Sequence, residues 1–445
     1  MKIVIAGAGE TGSCLADMLS VENQDIVLLG NERERLAELE SVHNFITFEG
    51  SPVSVSDLRQ CGIEKADLFV AVTPSESVNL VACEIAREIG ACKCVARIDS
   101  PELVLDEVRE LLKKRGVDSM VYPEKLAAEE IRRYLEHSWV RDWFDVGSGR
   151  LLFVGVRMES EGLLCGKMLK EVPNNPRRYH VVAIRRGSKM IIPGGSDMLM
   201  DGDTVYFSTL PEDIDMLPGL CGRKVRRIER IMVTGGGRVT ENLLELLGDR
   251  YNVTVLDTDA ERCRHIATRF PKAVVVNAAA NDVATLNEEG IGICDVFVAL
   301  TGSAEANIVS CMVAREHGVE CTVARVEELQ YIPEAESLRI DKIVNKKLIN
   351  AGRILSMLLS ADKAMTQFMS TGNAEVATFV AAEGSEVVSR PVSALRMPRG
   401  MTIGGLIRDG KGQLVGGDTR VLPGDHVVVF CLSGVLGKAE RMFKK

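Results

Sequence analysis

Net positive charge, long apolar runs and metal-ligand spacings are all missing from this chain, and each absence removes a class of function. With 54 Lys+Arg against 63 Asp+Glu the formal net charge is −9, so no overall positive field draws the chain to DNA, RNA or anionic lipid. No nucleic-acid partner is expected. No stretch approaches the roughly 18 uninterrupted apolar residues of a membrane span. The opening Met1-Lys2-Ile3-Val4-Ile5-Ala6-Gly7 lacks the charged, apolar and small-residue regions of a secretory signal and runs straight into a strand and a turn. A soluble, cytoplasmic protein is expected. The six histidines, at 43, 137, 180, 265, 317 and 426, include no pair at i, i+3 or i, i+4 spacing, which argues against a metal site. Among twelve cysteines, Cys92 and Cys94 form a C-x-C rather than a C-x-x-C, so they read as reduced and mostly buried small hydrophobes.

At roughly 100–200 residues per domain the length allows about two to four domains, and an internal repeat defines them. Ile3-Val4-Ile5-Ala6-Gly7-Ala8-Gly9 recurs as Ile231-Met232-Val233-Thr234-Gly235-Gly236-Gly237, 228 positions later. Val70-Ala71-Val72-Thr73 through Asn79 returns as Val298-Ala299-Leu300-Thr301 through Asn307, and Ala96-Arg97-Ile98 as Ala324-Arg325-Val326. Gly202-Asp203 returns as Gly424-Asp425. The chain is a tandem duplication.

In the front part of copy one, strand-like runs (Lys2–Ala6, Asp25–Leu29, Asn44–Phe48, Leu68–Val72, Lys93–Ile98) alternate with helical patterns (Gly12–Leu19, Glu32–Leu39, Val53–Cys61, Val78–Glu88). Such alternation builds a parallel sheet covered on both faces. The back part, with a helix at Glu124–Tyr134 and strands at Leu151–Met158, Val181–Arg186 and Thr204–Ser208, reads as a smaller α+β module. Copy two repeats the order, with a helix expected over Lys346–Met369 and strands near Glu375–Ala381, Ile403–Arg408 and His426–Phe430. The fold class is thus α/β: two tandem Rossmann-like doubly wound domains (1–137 and 228–365), each followed by a small α+β domain (138–222 and 366–445). The basic cluster Arg223-Lys224-Val225-Arg226-Arg227 between the copies reads as a solvated linker or a docking patch for an acidic partner.

Gly7-Ala8-Gly9-Glu10-Thr11-Gly12 is a G-x-G-x-x-G between a strand and a helix. The first glycine permits a tight turn, the second admits a pyrophosphate, and the third packs helix on strand, leaving free N–H groups and a positive dipole for phosphate. The alternative is a turn with no ligand. An acid some 20 residues on should bond ribose. Copy two supplies Asp257, whereas copy one has Gly30, with Asn31 and Glu32 just beyond as substitutes. Copy two instead loses its third glycine to Thr240, expected to push the helix slightly off the strand, and follows Gly235 and Gly237 with Arg238. These opposed defects slightly favour copy one. Arg97 and Arg325 end equivalent strands, where they can meet phosphate or serve as salt-bridge partners. Thr73 and Asn79, with Thr301 and Asn307, belong to polar loops that line a ligand or cap a helix. No repeated His or Lys stands out as a general acid or base for hydride transfer.

These motifs and their order resemble the tandem RCK (KTN) family of Trk-system potassium uptake regulators across essentially all 445 residues. The resemblance implies a non-enzymatic regulatory subunit in the cytoplasm, against the inner face of the membrane. It implies self-association into a ring, as a homotetramer, beneath a membrane potassium transporter subunit (TrkH-like). NAD(H) would be the ligand, with ATP and ADP as further candidates. The family's phosphate loop falls on Gly7, Gly9 and Gly12 and on Gly235, Gly237 and Arg238. Its Gly-Asp after the third strand becomes Gly50-Ser51 in copy one and Ala278-Ala279 in copy two. The competing reading is an NAD-dependent dehydrogenase with a duplicated Rossmann domain.

Overall fold

Residues 3–6 of the first strand are all buried, as a strand covered on both faces requires. In the computed structural model of the chain, this strand lies at the centre of a six-stranded parallel sheet. The structure describes every residue except 21–24, 43–44, 148, 173–176, 188, 226, 280–281, 360–363, 369–373, 433 and 445; His43, Asn44 and Arg226 therefore lie outside it. Across the sheet the strands run Ile46–Glu49, Asp25–Gly30, Lys2–Ala6, Leu68–Ala71, Cys94–Arg97 and Ser119–Val121. Copy two repeats the order with Val274–Asn277, Asn252–Asp257, Arg230–Thr234, Val296–Ala299, Cys321–Arg325 and Lys342–Val344. The order reverses between Lys2–Ala6 and Leu68–Ala71, and between their copy-two counterparts. That crevice is where open α/β sheets take ligands. The sixth strands have only three residues each, too short to read as apolar runs.

The duplication does not fold copy by copy. One unit joins Met1–Leu135 with Ile228–Leu355, and the other joins Glu136–Arg227 with Ser356–Lys445. In the first unit, helix Pro123–Glu136 of copy one places Ala127, Ala128, Ile131, Tyr134 and Leu135 in one buried cluster with Ile231, Val233, Leu243 and Val255 of copy two. Each fully buried aliphatic side chain contributes about 1.5–3 kcal/mol, so the two front domains share a core. Polar links flank it: Lys346 Nζ lies 3.0 Å from Glu124 Oε1, Lys342 Nζ 2.6 Å from Glu130 Oε1, and Asn242 Nδ2 donates to the Tyr122 hydroxyl at 3.1 Å.

The second unit holds two antiparallel five-stranded sheets. In copy one the order is Lys189–Ile191, Tyr179–Arg186, Thr204–Thr209, Leu151–Arg157, Val140–Val146. In copy two the equivalent order is Lys411–Leu414, Met401–Arg408, His426–Leu432, Ala374–Val380, Ala364–Phe368. The register shifts at equivalent places, around Val182 and Gly404. A Cβ on Gly404 would stand 2.4 Å from Phe153 Cε1, so this glycine lets the copy-one ring approach. Phe153, Tyr206, Val376, Val428 and Phe430 belong to one buried cluster drawn from both copies. The repeated Gly-Asp turn is a lock: Asp203 accepts from Arg186 Nε (2.8 Å) and Nη2 (2.7 Å) and from the Met200 N–H (2.9 Å), and Asp425 repeats these bonds with Arg408 and Leu422.

The helix expected over Lys346–Met369 ends at Leu359, and Ala364–Phe368 is a strand paired antiparallel with Ala374–Val380; residues 360–363 and 369 lie outside the described part. The apolar spacing does not end at Leu359, so the local pattern does not announce the strand and its pairing. Its copy-one equivalent, Val140–Val146, was not expected either, because Arg141, Asp142 and Asp145 interrupt its apolar run. All twelve cysteines are free thiols; eight are buried and Cys92 is exposed. No described helix is long and apolar enough to cross a membrane. Among the described residues no cluster of His, Cys, Asp and Glu is arranged to hold a metal ion.

Candidate functional site

Both glycine loops sit at the reversal point of their sheets, and both first glycines need positive φ: +117° at Gly7 and +94° at Gly235. Gly7 N–H donates to Leu29 O and Gly235 N–H to Leu256 O, each at 2.8 Å, which fixes the turn over the end of the second strand. A Cβ on Gly9 or Gly237 would meet nothing within 4 Å. The second glycines therefore face open space, as close approach by a ligand needs. Glu10 and Thr11 lie in the first turn of helix Glu10–Ser20, and Arg238 opens helix Arg238–Leu247.

The third position differs between the copies. A Cβ on Gly12 would lie 1.8 Å from Gly7 O, so helix and loop are in backbone contact there. Copy two accommodates Thr240, fully buried, whose hydroxyl donates to Gly235 O. Copy two therefore admits a real Cβ and a hydroxyl bond at the place where copy one allows only backbone contact.

Gly30 and Asp257 end the second strands in equivalent register. Asp257 Oδ2 accepts from the Gly236 N–H at 2.6 Å and Arg262 Nη1 at 3.0 Å, and Oδ1 from the Asp259 N–H at 2.8 Å. Burial alone raises the Asp257 carboxyl, but these N–H groups and the Arg262 guanidinium outweigh it and hold it below the usual carboxylate range. In copy one a Cβ on Gly30 would strike Ala8 Cβ at 2.6 Å. Ala8 replaces Gly236, so the methyl group occupies the space an acid would need. Asn31 and Glu32 are exposed beyond Gly30. Gly50 is tied to Gly30 O (2.8 Å), and the Ser51 N–H donates to Asp57 Oδ2 (2.8 Å). In copy two the Ala278 N–H bonds Asp257 O.

Asn79 and Asn307 are buried and fully engaged inside the chain. Asn79 Oδ1 accepts from Thr73 N–H (2.9 Å) and Oγ1 (2.7 Å), while Nδ2 donates to Thr73 O (3.0 Å) and Arg97 O (2.9 Å). Asn307 makes the same four bonds with Thr301 and Arg325. These asparagines tie two strand ends together and set the positions of Thr73, Arg97, Thr301 and Arg325. Ser75 and Ser303 cap the following helices. Arg97 Nη2 pairs with Asp99 at 3.0 Å while its buried Nε has no partner among the described residues. Arg325 Nε pairs with Glu327 at 2.7 Å.

A cavity of about 530 Å³ opens on copy two, lined among others by Gly235, Gly237, Arg238, Asp257, Thr301 and Arg325. These sequence candidates come together there, whereas Asn307 stands behind the wall. Arg262, Glu241 and Thr258 also line it and were not anticipated. The signal for Arg262 was its place five residues after Asp257, where the first helical turn returns the side chain to the strand end. The cavity supplies cations at the loop and the far strand, a carboxylate at the second strand, and apolar walls from Leu256, Ala278 and Leu300.

The family model for the TrkA-N domain matches residues 3–123 and 231–346, and that for the TrkA-C domain matches 153–222 and 376–444. The Trk system potassium uptake protein TrkA of Haemophilus influenzae is 31% identical, covering 97% of this chain and 95% of its own. The Halomonas elongata protein of that name is 29% identical, covering 100% and 99%. Among solved structures, the GsuK channel bound to NAD superposes with a TM-score of 0.62 at 17% identity, over 99% of this chain and 78% of that one, a likeness of fold.

Proposed function

Because this chain belongs to the TrkA family of Trk-system potassium uptake proteins, we propose that it is a regulatory subunit that binds an adenine nucleotide, NAD(H) foremost, and thereby gates a membrane potassium transporter. The cavity on copy two carries this reading. Its loop N–H groups, Arg238 and Arg325 suit a pyrophosphate, Asp257 suits ribose hydroxyls, and Leu256, Ala278 and Leu300 suit an adenine face. Copy one offers a second site at Gly7, Gly9 and Gly12 with Thr73 and Arg97.

Gating through shape requires that the nucleotide prefer one conformation. A switch from 1:99 to 99:1 takes about 5.5 kcal/mol of differential affinity, more than one site of about 1–3 kcal/mol coupling supplies. Two sites per chain, multiplied in a homotetrameric ring, reach it. Exposed Val81 on helix Glu76–Ile89 and Val309 and Met312 on helix Ala304–Glu316 are apolar surface fit for such self-association.

The test joins binding to flux. NAD, NADH, ADP or ATP at 100 times its Kd should stabilise the protein by about 2.7 kcal/mol, and Gly237→Val, which projects into the cavity, should diminish the shift. Rubidium flux through vesicles holding the cognate transporter should depend on this protein and on the nucleotide supplied. Melting curves that coincide with and without every nucleotide, or flux indifferent to the protein, overturn the reading. Steady oxidation of NADH with a small substrate would return the dehydrogenase.

A further inference from the structure

The residue after the second glycine is Glu10 in copy one and Arg238 in copy two. Phosphates at such a loop bring negative charge that oriented N–H groups and a helix dipole offset only in part. Copy two carries its cation on the loop, since Arg238 lines the cavity, its Nη1 3.4 Å from Asp99 O of copy one. Copy one has a carboxylate at this place, which opposes a phosphate.

The compensating charge comes from the other copy. Lys347, in the first turn of helix Lys346–Leu359, sets Nζ 2.5 Å from Glu10 Oε2. The partners are unequally placed: the Lys347 side chain is 14% exposed and that of Glu10 70%. The lysine is the fixed partner, and the glutamate has room to swing into solvent. Burial and then Asp17 push the Cys14 thiol, on helix Glu10–Ser20, above its usual range, and the Lys347 charge acts against them. An ammonium held against the first turns of a helix opposes the dipole and calls for an anion beside it.

We infer that Lys347 is a phosphate-binding residue of the copy-one nucleotide site, supplied by copy two, and that the Glu10 carboxylate is its resident substitute, displaced when nucleotide arrives. This rests on the nucleotide reading of copy one. Lys346, next in the chain, bridges Glu124 of copy one (3.0 Å) and Glu327 of copy two (3.9 Å). Drawing Lys347 onto a phosphate therefore acts on a helix start already anchored in both copies, which links occupancy to the contact between them.

The experiment uses the full chain carrying Gly237→Val to silence copy two, titrated calorimetrically with ADP and with NAD at low and high salt. Lys347→Met should weaken binding about tenfold, equivalent to about 1.4 kcal/mol, and flatten its salt dependence. Glu10→Gln should tighten binding by a similar factor, and this gain should vanish in the Lys347→Met background, where no ammonium is left to release. Lys347→Gln serves as the second variant should the methionine disturb the fold. With binding abolished by Gly9→Val, unchanged affinity in both lysine variants, weaker binding in Glu10→Gln, or a Glu10→Gln gain that persists without the lysine overturns the inference alone. Binding that is absent, or indifferent to Gly9→Val, removes the copy-one reading and the inference with it.

Discussion

Copy one and copy two solve one packing problem in opposite ways. At the end of the second strand, copy one pairs Ala8 with Gly30 and copy two pairs Gly236 with Asp257. The methyl group of Ala8 stands where a Cβ on Gly30 would have to go, at 2.6 Å. In copy two the glycine loop gives way, and its Gly236 N–H becomes a donor to the carboxylate at 2.6 Å. The missing ribose acid of copy one is thus one half of a coupled exchange, and the third loop position shows a second: Gly12 in backbone contact with Gly7, against Thr240 bonded to Gly235. Duplicated domains drift in pairs of touching residues because a single change meets a close-packed neighbour.

The largest effect that would break this comparison is Gly12→Thr, which gives copy one the residue of copy two. A Cβ 1.8 Å from Gly7 O cannot be relieved by a rotamer, since the obstacle is backbone, so the cost should reach about 3 kcal/mol. The reverse change, Thr240→Gly, removes a buried hydroxyl bond and adds a helical glycine, for roughly 1–2 kcal/mol. Native-state hydrogen exchange on the amides of Lys2–Ala6 and of Arg230–Thr234 separates the two. Equal losses in both strands would show that the copies are not distinct in this contact.

Much of this fold was legible because parallel α/β structure writes itself in local runs. The alternation, the glycine spacing and the repeat give the two sheets and the reversal point without tertiary information. What stayed hidden depends on partners far along the chain. The helix starting at Lys346 stops at Leu359, and Ala364–Phe368 pairs as a strand with Ala374–Val380, which no local period announces. Asn79 and Asn307 read as residues of loops that line a ligand or cap a helix, yet their side-chain N–H groups are taken up by backbone carbonyls 6 and 18 residues away. Lys347 reaches Glu10 across more than 300 positions; its only trace in the sequence is the reversal from Glu10 to Arg238 between the copies.

A middle-sized effect sharpens the first exchange. Gly30→Asp alone should destabilise the first unit by about 1–3 kcal/mol through overpacking against Ala8, while Ala8→Gly alone should cost about 1 kcal/mol or less. Together they recreate the copy-two arrangement, so the double variant should recover at least about 1 kcal/mol relative to the sum of the singles. Urea denaturation of the four proteins measures this coupling. Additive losses would mean that the two positions drifted independently.

The smallest effect concerns an arginine both copies retain. Arg262 lies five residues after Asp257 and bonds it at 3.0 Å, whereas Arg35, five residues after Gly30, has lost that partner and pairs with exposed Glu38 at 3.1 Å. A half-exposed guanidinium on a buried carboxylate should be worth about 1 kcal/mol after screening, and the exposed pair about 0.3 kcal/mol or less. Arg262→Met should therefore destabilise the first unit measurably at neutral pH, and Arg35→Met should not. The pH dependence carries the sign. The folded Asp257 carboxyl is held below its unfolded value, so its stabilising contribution is complete above the ordinary carboxylate range and fades as pH falls through the depressed folded value. Arg262→Met should bring that loss to higher pH, because one of the groups favouring the carboxylate is gone. Acid unfolding followed by strand-amide exchange reads the shift. Superimposable acid limbs for Arg262→Met and the unmodified protein would leave the Gly236 and Asp259 N–H groups as the whole anchor of Asp257.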